Sequence, residues 1–408
     1  MEMEMGDIDL KTSEGPKIVR IELIPLKVPF WEFVKKTMAA GAGGVGMAIP
    51  VDEPWEGGEF VIARLTAEDG NEGLGEAFVW LPETGTTPGQ IIGVIEAALG
   101  KYVLGESPFN VEAMLDRMDR NVNRSEVAKG LLDMACYDLM GKIAGKSASE
   151  IMGGPGPGPV PLCALVPLMD LEIMAQMAES FVKQGYGTLR IKLGRSVDED
   201  VKIMERLRAA AGDRVRLRVD YNQAYRPEEA ARAIRAIEPF RVDVAEQPVR
   251  SADFLGMAWV QKQVDTPLMA HESCFSLTDI AVLIELQAIG VVGINSERPG
   301  GVTNALRAVS YAQQRGLSCL LHNQPLGIAS AMHLHLACAR RAGFTHATEL
   351  FGFAMLEDDL IAEPISYENG SARPPAGPGW GVELDREALA KYAAGPTVKL
   401  ELKGRGHA

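Results

Sequence analysis

Seven tips of apolar runs carry polar or charged residues, and they recur at nearly even intervals. They are Arg190-Ile191-Lys192, Asp220-Tyr221-Asn222, Glu246-Gln247-Pro248, His271-Glu272, Asn295, His322-Asn323 and Glu349. Polar groups in such places need partners or a purpose, because burying one unpaired costs free energy. Asp220, Glu246 and position 271 follow one another at intervals of 26 and 25 residues, about one strand–helix unit each. Carboxylates on neighbouring strands would hold a hard divalent cation. Mg²⁺ suits such oxygens because it keeps open positions for substrate. Arg190 and Lys192 stand two apart, so on a strand both side chains project to the same side. They would face the cation and a carboxylate bound to it. Cations around Lys192 would favour its neutral form and leave it able to act as a base.

The elements that must position these residues are legible in the pattern. Strands are expected over 160–167, 188–193, 215–221, 242–247, 267–272, 291–296, 318–322 and 347–350, with helical spacing between them, as over 171–184, 198–211, 227–236 and 302–314. Eight strands alternating with helices fit a closed parallel barrel, in which chemistry sits at the carboxyl ends of the strands. No Gly-x-Gly-x-x-Gly follows the first strand to suggest a dinucleotide. The first 150 residues read as an α+β unit, with strands over 18–28, 59–66 and 73–79 and helices over 110–121 and 126–143. The Gly/Pro run 153–159 marks its boundary, so the expected domains are 1–150, 151–374 and a segment 375–408 whose strand over 397–402 packs back on the first. The Gly/Ala-rich stretch 37–47 reads as a lid.

Composition narrows the function. The chain of 408 residues is 47% hydrophobic and 24% charged, with a formal net charge of −14. It has no basic run of the kind that grips a phosphate backbone, which argues against nucleic acid. No apolar stretch is long enough for a membrane span, and the acidic N-terminus is unlike a signal sequence. Five scattered cysteines (Cys136, Cys163, Cys274, Cys319, Cys338) read as buried reduced thiols of a cytoplasmic protein.

These residues resemble the enolase superfamily, in its mandelate racemase and muconate lactonizing enzyme branches, over nearly the whole chain. The resemblance rests on 135–142 followed by Ile151-Met152-Gly153-Gly154, then Val219-Asp220-Tyr221-Asn222, Glu246-Gln247-Pro248, 267–273 and Pro299-Gly300-Gly301-Val302, in family order and spacing. It implies a modified (β/α)₇β barrel of TIM type with an α+β N-terminal capping domain, a metal (normally Mg²⁺) that binds the substrate carboxylate, and an enediolate formed on proton loss. It implies that Lys192 is the catalytic lysine, that Asp220 and Glu246 are metal ligands, and that Glu349 hydrogen-bonds the substrate carboxylate. Three positions depart from the pattern. Arg190 replaces the first lysine of a Lys-x-Lys pair. His271 replaces the third acidic ligand, so that either its nitrogen ligates or Glu272 swings in, or a less usual metal is held. Asn295 stands where lactonizing enzymes carry a second lysine and racemase-like enzymes an aspartate; it would orient the His322 imidazole without stabilising an imidazolium.

The resulting expectation is an enzyme that dehydrates a sugar acid or related hydroxy acid to a 2-keto-3-deoxy acid. Lys192 would take the α-proton and His322 protonate the departing hydroxyl. The alternative is a racemase or epimerase of an α-substituted acid using Lys192 and His322 on opposite faces. Lesser alternatives are a cycloisomerase, against which the missing second lysine counts, and a barrel retired from catalysis. The expected partner is a small carboxylic acid, and a homo-oligomer is expected by family analogy. His333 and His335, in a helical run, read as structural, and His346 as the start of the last strand. Substrate choice is assigned to lid segments 31–55 and 80–87.

Overall fold

A computed structural model describes residues 15–41, 55–323 and 325–402. Three long strands, β1 (Ile18–Pro29), β2 (Gly57–Ala67) and β3 (Glu72–Val79), form an antiparallel meander. Helix α1 (Glu32–Gly41) follows β1, so the expected lid begins as a helix, and its remainder lies outside the described residues. A short helix α2 (Leu81–Thr84) follows β3, and α3 (Glu126–Ala144) packs along the sheet. Helix α3 is buried along most of its length, because one side meets the sheet and the other meets the barrel.

The barrel strands are β4 (Cys163–Val166), β5 (Thr188–Lys192), β6 (Arg216–Asp220), β7 (Val242–Glu246), β8 (Leu268–Ala270), β9 (Val291–Ile294), β10 (Ser318–Asn323) and β11 (Glu349–Leu350). Each pairs in parallel with the next. A parallel bridge between Leu162 and Thr348 joins the last strand to the first and closes the wall. Seven helices alternate with them: α4 (Leu171–Lys183), α5 (Val197–Ala211), α6 (Pro227–Ile237), α7 (Phe254–Gln261), α8 (Leu277–Glu285), α9 (Gly301–Gln314) and α10 (Gly327–Ala339). The architecture is therefore (β/α)₇β with an α+β cap. The expected first strand is split in two. Val160–Pro161 pairs with Ser371–Ala372 in a small separate sheet, and the barrel takes the chain from Leu162 onward.

Inside the barrel, side chains alternate between layers. Val244, Met269, Val291 and Leu320 form an apolar plug apart from the main core. Two residues further along, Glu246 and its neighbours form a polar layer above it, as the period of two requires. The C-terminal strand β12 (Val398–Glu401) pairs antiparallel with β1, Leu23 opposite Val398. Trp380, fully buried, donates its indole N–H to Leu74 O at 3.0 Å and its backbone N–H to Asp138 at 2.7 Å. All five cysteines are buried and none is disulfide-linked. Among the described residues, no helix is long and apolar enough to cross a membrane.

Candidate active site

Period-two alternation on β5 and β6 turns Arg190, Lys192, Arg218 and Asp220 into the barrel. Beyond Asp220 and Glu246 the chain turns sharply: Asn222, Gln223 and Gln247 all take positive φ (42°, 66° and 34°). Such backbone is costly for residues other than glycine, and it clusters where a site constrains the chain.

Arg190 lies at the centre and is only 2% exposed. Its Nη2 donates to Asp220 Oδ2 at 2.5 Å and to Glu246 Oε1 at 2.6 Å. Its Nη1 lies 2.9 Å from His322 Nε2 and 3.2 Å from Glu349 Oε2. Lys192, with 18% of its side chain exposed, donates to Asp220 Oδ2 at 2.5 Å and to Asn222 Oδ1. Arg218 pairs with Glu246 Oε2 at 3.1 Å and with Glu349 Oε1 at 2.5 Å. Charges this deeply buried persist only when paired, and removing one partner of such a pair costs about 3–5 kcal/mol.

The rim is built by Gln247. Its carboxamide oxygen accepts from the backbone N–H of His271 at 3.0 Å and of Ser273 at 3.2 Å, and its Nε2 donates to Ser273 Oγ at 2.8 Å. That clamp sets the loop carrying His271 and Glu272. Asn295 does not reach His322, contrary to expectation. Its Oδ1 accepts from the backbone N–H of Glu297 at 3.1 Å and of Arg298 at 2.7 Å, capping a tight turn. The turn delivers Arg298, whose Nη2 lies 3.0 Å from His271 Nε2 and 2.9 Å from Glu83 Oε2 on α2 of the cap.

The cap closes on this rim at further points. Glu297 accepts from Phe78 N at 2.8 Å. Glu76 accepts from Leu326 N at 2.7 Å and Ala329 N at 3.0 Å, satisfying the N-terminus of α10 from the other domain. The two expected lid segments meet where Trp55 and Trp80 stack, ring centroids 4.4 Å apart. The Gly300–Gly301 turn, both φ positive, lets α9 approach α3: a Cβ on Gly130 would sit 2.6 Å from Gly301 N.

Electrostatics follow from these contacts. Burial alone would raise Asp220, but Arg190 and Lys192 outweigh it and hold the carboxyl down to about 2. Burial, reinforced by Asp220 and Glu349, pushes Glu246 up despite Arg190. His271 and His322 are both driven well below the ordinary imidazole range by burial, with Arg298 and His271 respectively adding to it.

Whether these residues suit a divalent ion can be tested on the donors. Glu246, His271 and Glu272 are buried and offer ligand atoms within 4.8 Å of one another. Nδ1 of His271 and Oε2 of Glu272 have no hydrogen-bond partner, a pattern that suits a cation. Two contacts oppose it. Arg298 is a donor only, so His271 Nε2 must accept from it, and a neutral imidazole then carries its proton on Nδ1. That N–H faces Glu272 Oε2 at 3.4 Å and Glu246 Oε1 at 3.6 Å, so it has no lone pair for a metal. Asp220 and Glu246, the two expected ligands, already share the Nη2 of Arg190. As arranged, the donors fit a guanidinium and do not fit a divalent ion. The expected third position, His271 with Glu272 beside it, does lie next to Glu246, with its donors engaged as described.

Sequence reasoning brought Lys192, Arg190, Asp220, Glu246, His271, Glu272, His322 and Glu349 to one place, and the structure gathers them there. It missed Arg218, Arg298 and Glu83, and it named Gln247 without giving it a role. Arg218 carried a signal, standing two residues before Asp220 on the same strand. Arg298 and Glu83 carried none, since one lies on a turn after a barrel strand and the other on a single-turn helix. Glu349 turns both oxygens to Arg190 and Arg218 rather than to open space. His333 is fully buried within α10, His335 faces Trp380 O at 3.2 Å, and His346 faces Ser318 Oγ at 3.0 Å, all outside the site.

Comparison with known proteins agrees with this architecture. Residues 172–388 match the enolase C-terminal domain-like family, and residues 54–153 match the N-terminal domain of mandelate racemase / muconate lactonizing enzymes. A hydrophobic dipeptide epimerase of Enterococcus faecalis is 32% identical, covering 69% of this chain and 80% of that one. A chloromuconate cycloisomerase of Cupriavidus pinatubonensis is 28% identical over 82% of this chain and 91% of its own. The crystal structure of N-succinyl Arg/Lys racemase from Bacillus cereus superimposes with a TM-score of 0.84 at 25% identity, covering 94% of this chain and all of that one. With its closed barrel, its cap and its ring of strand-end charges, the chain belongs to the mandelate racemase / muconate lactonizing enzyme family of the enolase superfamily.

Proposed function

We propose that this protein is a racemase or epimerase acting at the α-carbon of a small substituted carboxylic acid. N-acylated amino acids and dipeptides are the first candidates. The chemistry of the family is removal of the proton next to a carboxylate. The relatives described above are by name an epimerase, a racemase and a cycloisomerase, which favours isomerisation over the dehydration read first from the sequence. The observation that carries the proposal is the placement of Lys192 and His322 about one guanidinium. His322 lies at Nη1 of Arg190, while Lys192 shares Asp220 with Nη2.

In this reading the α-proton of one enantiomer passes to Nζ of Lys192. The C–H electron pair moves into the carboxylate, giving an enediolate whose added charge Arg190 offsets. His322 then returns a proton to the other face from Nδ1, which has no other partner. Its Nε2 faces both Arg190 and Glu349 Oε2, the latter at 3.2 Å. As the acid, His322 is the imidazolium with its Nε2–H donating to Glu349. Transfer of the Nδ1 proton to carbon leaves the neutral ring protonated at Nε2, and the reverse reaction restores the imidazolium. The cap supplies the mouth of the site through the Trp55–Trp80 stack and Glu83.

The test is proton NMR in D₂O with single enantiomers of N-acyl amino acids and dipeptides. Exchange of the α-proton with loss of optical activity supports the proposal. Loss of a β-hydroxyl from a sugar acid, with a keto-deoxy product, would overturn it in favour of dehydration.

A further inference from the structure

The cations at the centre of this site balance the carboxylates they touch without a metal ion. Arg190, Arg218 and Lys192 point inward against Asp220, Glu246 and Glu349, and the ion pairs already match one for one. Arg190 is the hub. One nitrogen spans the two carboxylates expected to ligate a metal, and another reaches Glu349 and His322. A guanidinium presents five donors in a fixed plane and stays charged, so it can bridge several acceptors that would otherwise converge on an ion. At the third position an imidazole replaces an oxygen ligand, and Arg298 occupies its lone pair at 3.0 Å. Arg298 is itself held by Glu83 from the cap, so the arrangement does not depend on a free side chain.

We propose that Arg190 is the resident cation of this active site and takes the place of the divalent ion. The protein then forms no stoichiometric complex with Mg²⁺ or Mn²⁺ between Asp220 and Glu246, and the enediolate is balanced by the guanidinium. Only the last clause rests on the functional reading above. The exclusion of the ion follows from the donors alone.

The experiment is isothermal titration of the full-length, chelator-dialysed protein with MgCl₂ alone and with MnCl₂ alone, alongside metal analysis of the protein as purified. The expected result is no saturable heat and no bound metal at one equivalent. Where an α-proton exchange substrate is found, its rate should change by less than about twofold on adding EDTA, since no Lewis acid is being withdrawn. Saturable binding of one Mg²⁺ or Mn²⁺, with exchange lost on chelation, would overturn the proposal. The double variant Arg190→Lys, His271→Asp removes the bridging guanidinium and restores an oxygen ligand. It should gain one bound Mn²⁺, with affinity at least about tenfold above the wild type. A folded double variant that still binds nothing would overturn the assignment of Arg190 and His271 as the excluding groups. Should that variant not fold, Arg298→Met provides the second measurement. It frees the His271 lone pair and should yield measurable Mn²⁺ binding, and its failure to do so counts against the proposal. If no acid tested exchanges its α-proton, the functional reading fails while the titrations still decide this one.

Discussion

Nη2 of Arg298 lies 3.0 Å from Nε2 of His271. Because arginine can only donate, this distance settles which ring nitrogen accepts and therefore where the imidazole keeps its proton. The same Nη2 also meets Glu83 at 2.9 Å, so a short helix of the cap is tied through one guanidinium to a barrel strand end.

Replacing Glu83 by alanine leaves Arg298, 1% exposed, without its carboxylate. Glu83 is itself only partly shielded, so the expected loss is about 2 kcal/mol, in the range of a hydrogen bond to a charged group. Urea denaturation measures it. An unchanged midpoint would mean that the pair does not join cap and barrel.

Lys192→Met should lower α-proton exchange by about 10³-fold, the scale of a lost general base. Asp220 keeps Arg190 as a partner, so the fold should survive, and circular dichroism checks that. Exchange at the wild-type rate would remove Lys192 from the chemistry.

His322→Asn separates the two faces. Starting from one enantiomer, exchange through Lys192 should persist while inversion stops. Starting from the other, exchange itself should fall by about 10²-fold or more. Equal losses from both enantiomers would show that His322 supports the site without moving a proton to carbon.

Asn295 is a turn cap by its contacts. Asn295→Ala leaves two buried backbone donors unmet and should cost about 1–3 kcal/mol. Asn295→Asp keeps both acceptor positions and should retain more of that stability. If the aspartate and alanine variants lose equally, the cap is not what this residue contributes.

Burial pushes Glu76 up to about 8, with the backbone N–H groups of α10 only partly offsetting it. A raised carboxyl stabilises the fold fully below its ordinary value of 4.5 and loses that contribution as pH rises through about 8. Stability should therefore decline between those limits, by at most about 1.4 kcal/mol per pH unit from this group. Glu76→Gln should flatten the decline, read as denaturation midpoints across that range. An identical slope in the variant would assign the effect elsewhere.

Much of the site was legible because period-two alternation is a local property. Lys192 follows Arg190 and Asp220 sits on the next barrel strand, so the meeting of those side chains follows once the barrel closes. The eight strands were found near their observed places because apolar runs separated by helical spacing announce themselves. The first was misjudged because Pro161 and Leu162 divide the run between two sheets.

What the sequence by itself determined was the barrel, the cap and the list of residues that reach the mouth. These depend on burial periodicity and on the spacing of strand ends. Only the tertiary structure decided who holds whom. Arg298 meets Glu83 and His271 across 215 and 27 residues, and Asn295 turns to its own backbone rather than to His322. Hydrogen-bond direction depends on the distances between particular atoms, to which residue type and spacing are blind. For that reason the sequence alone pointed to a metal, and the folded donors point to an arginine.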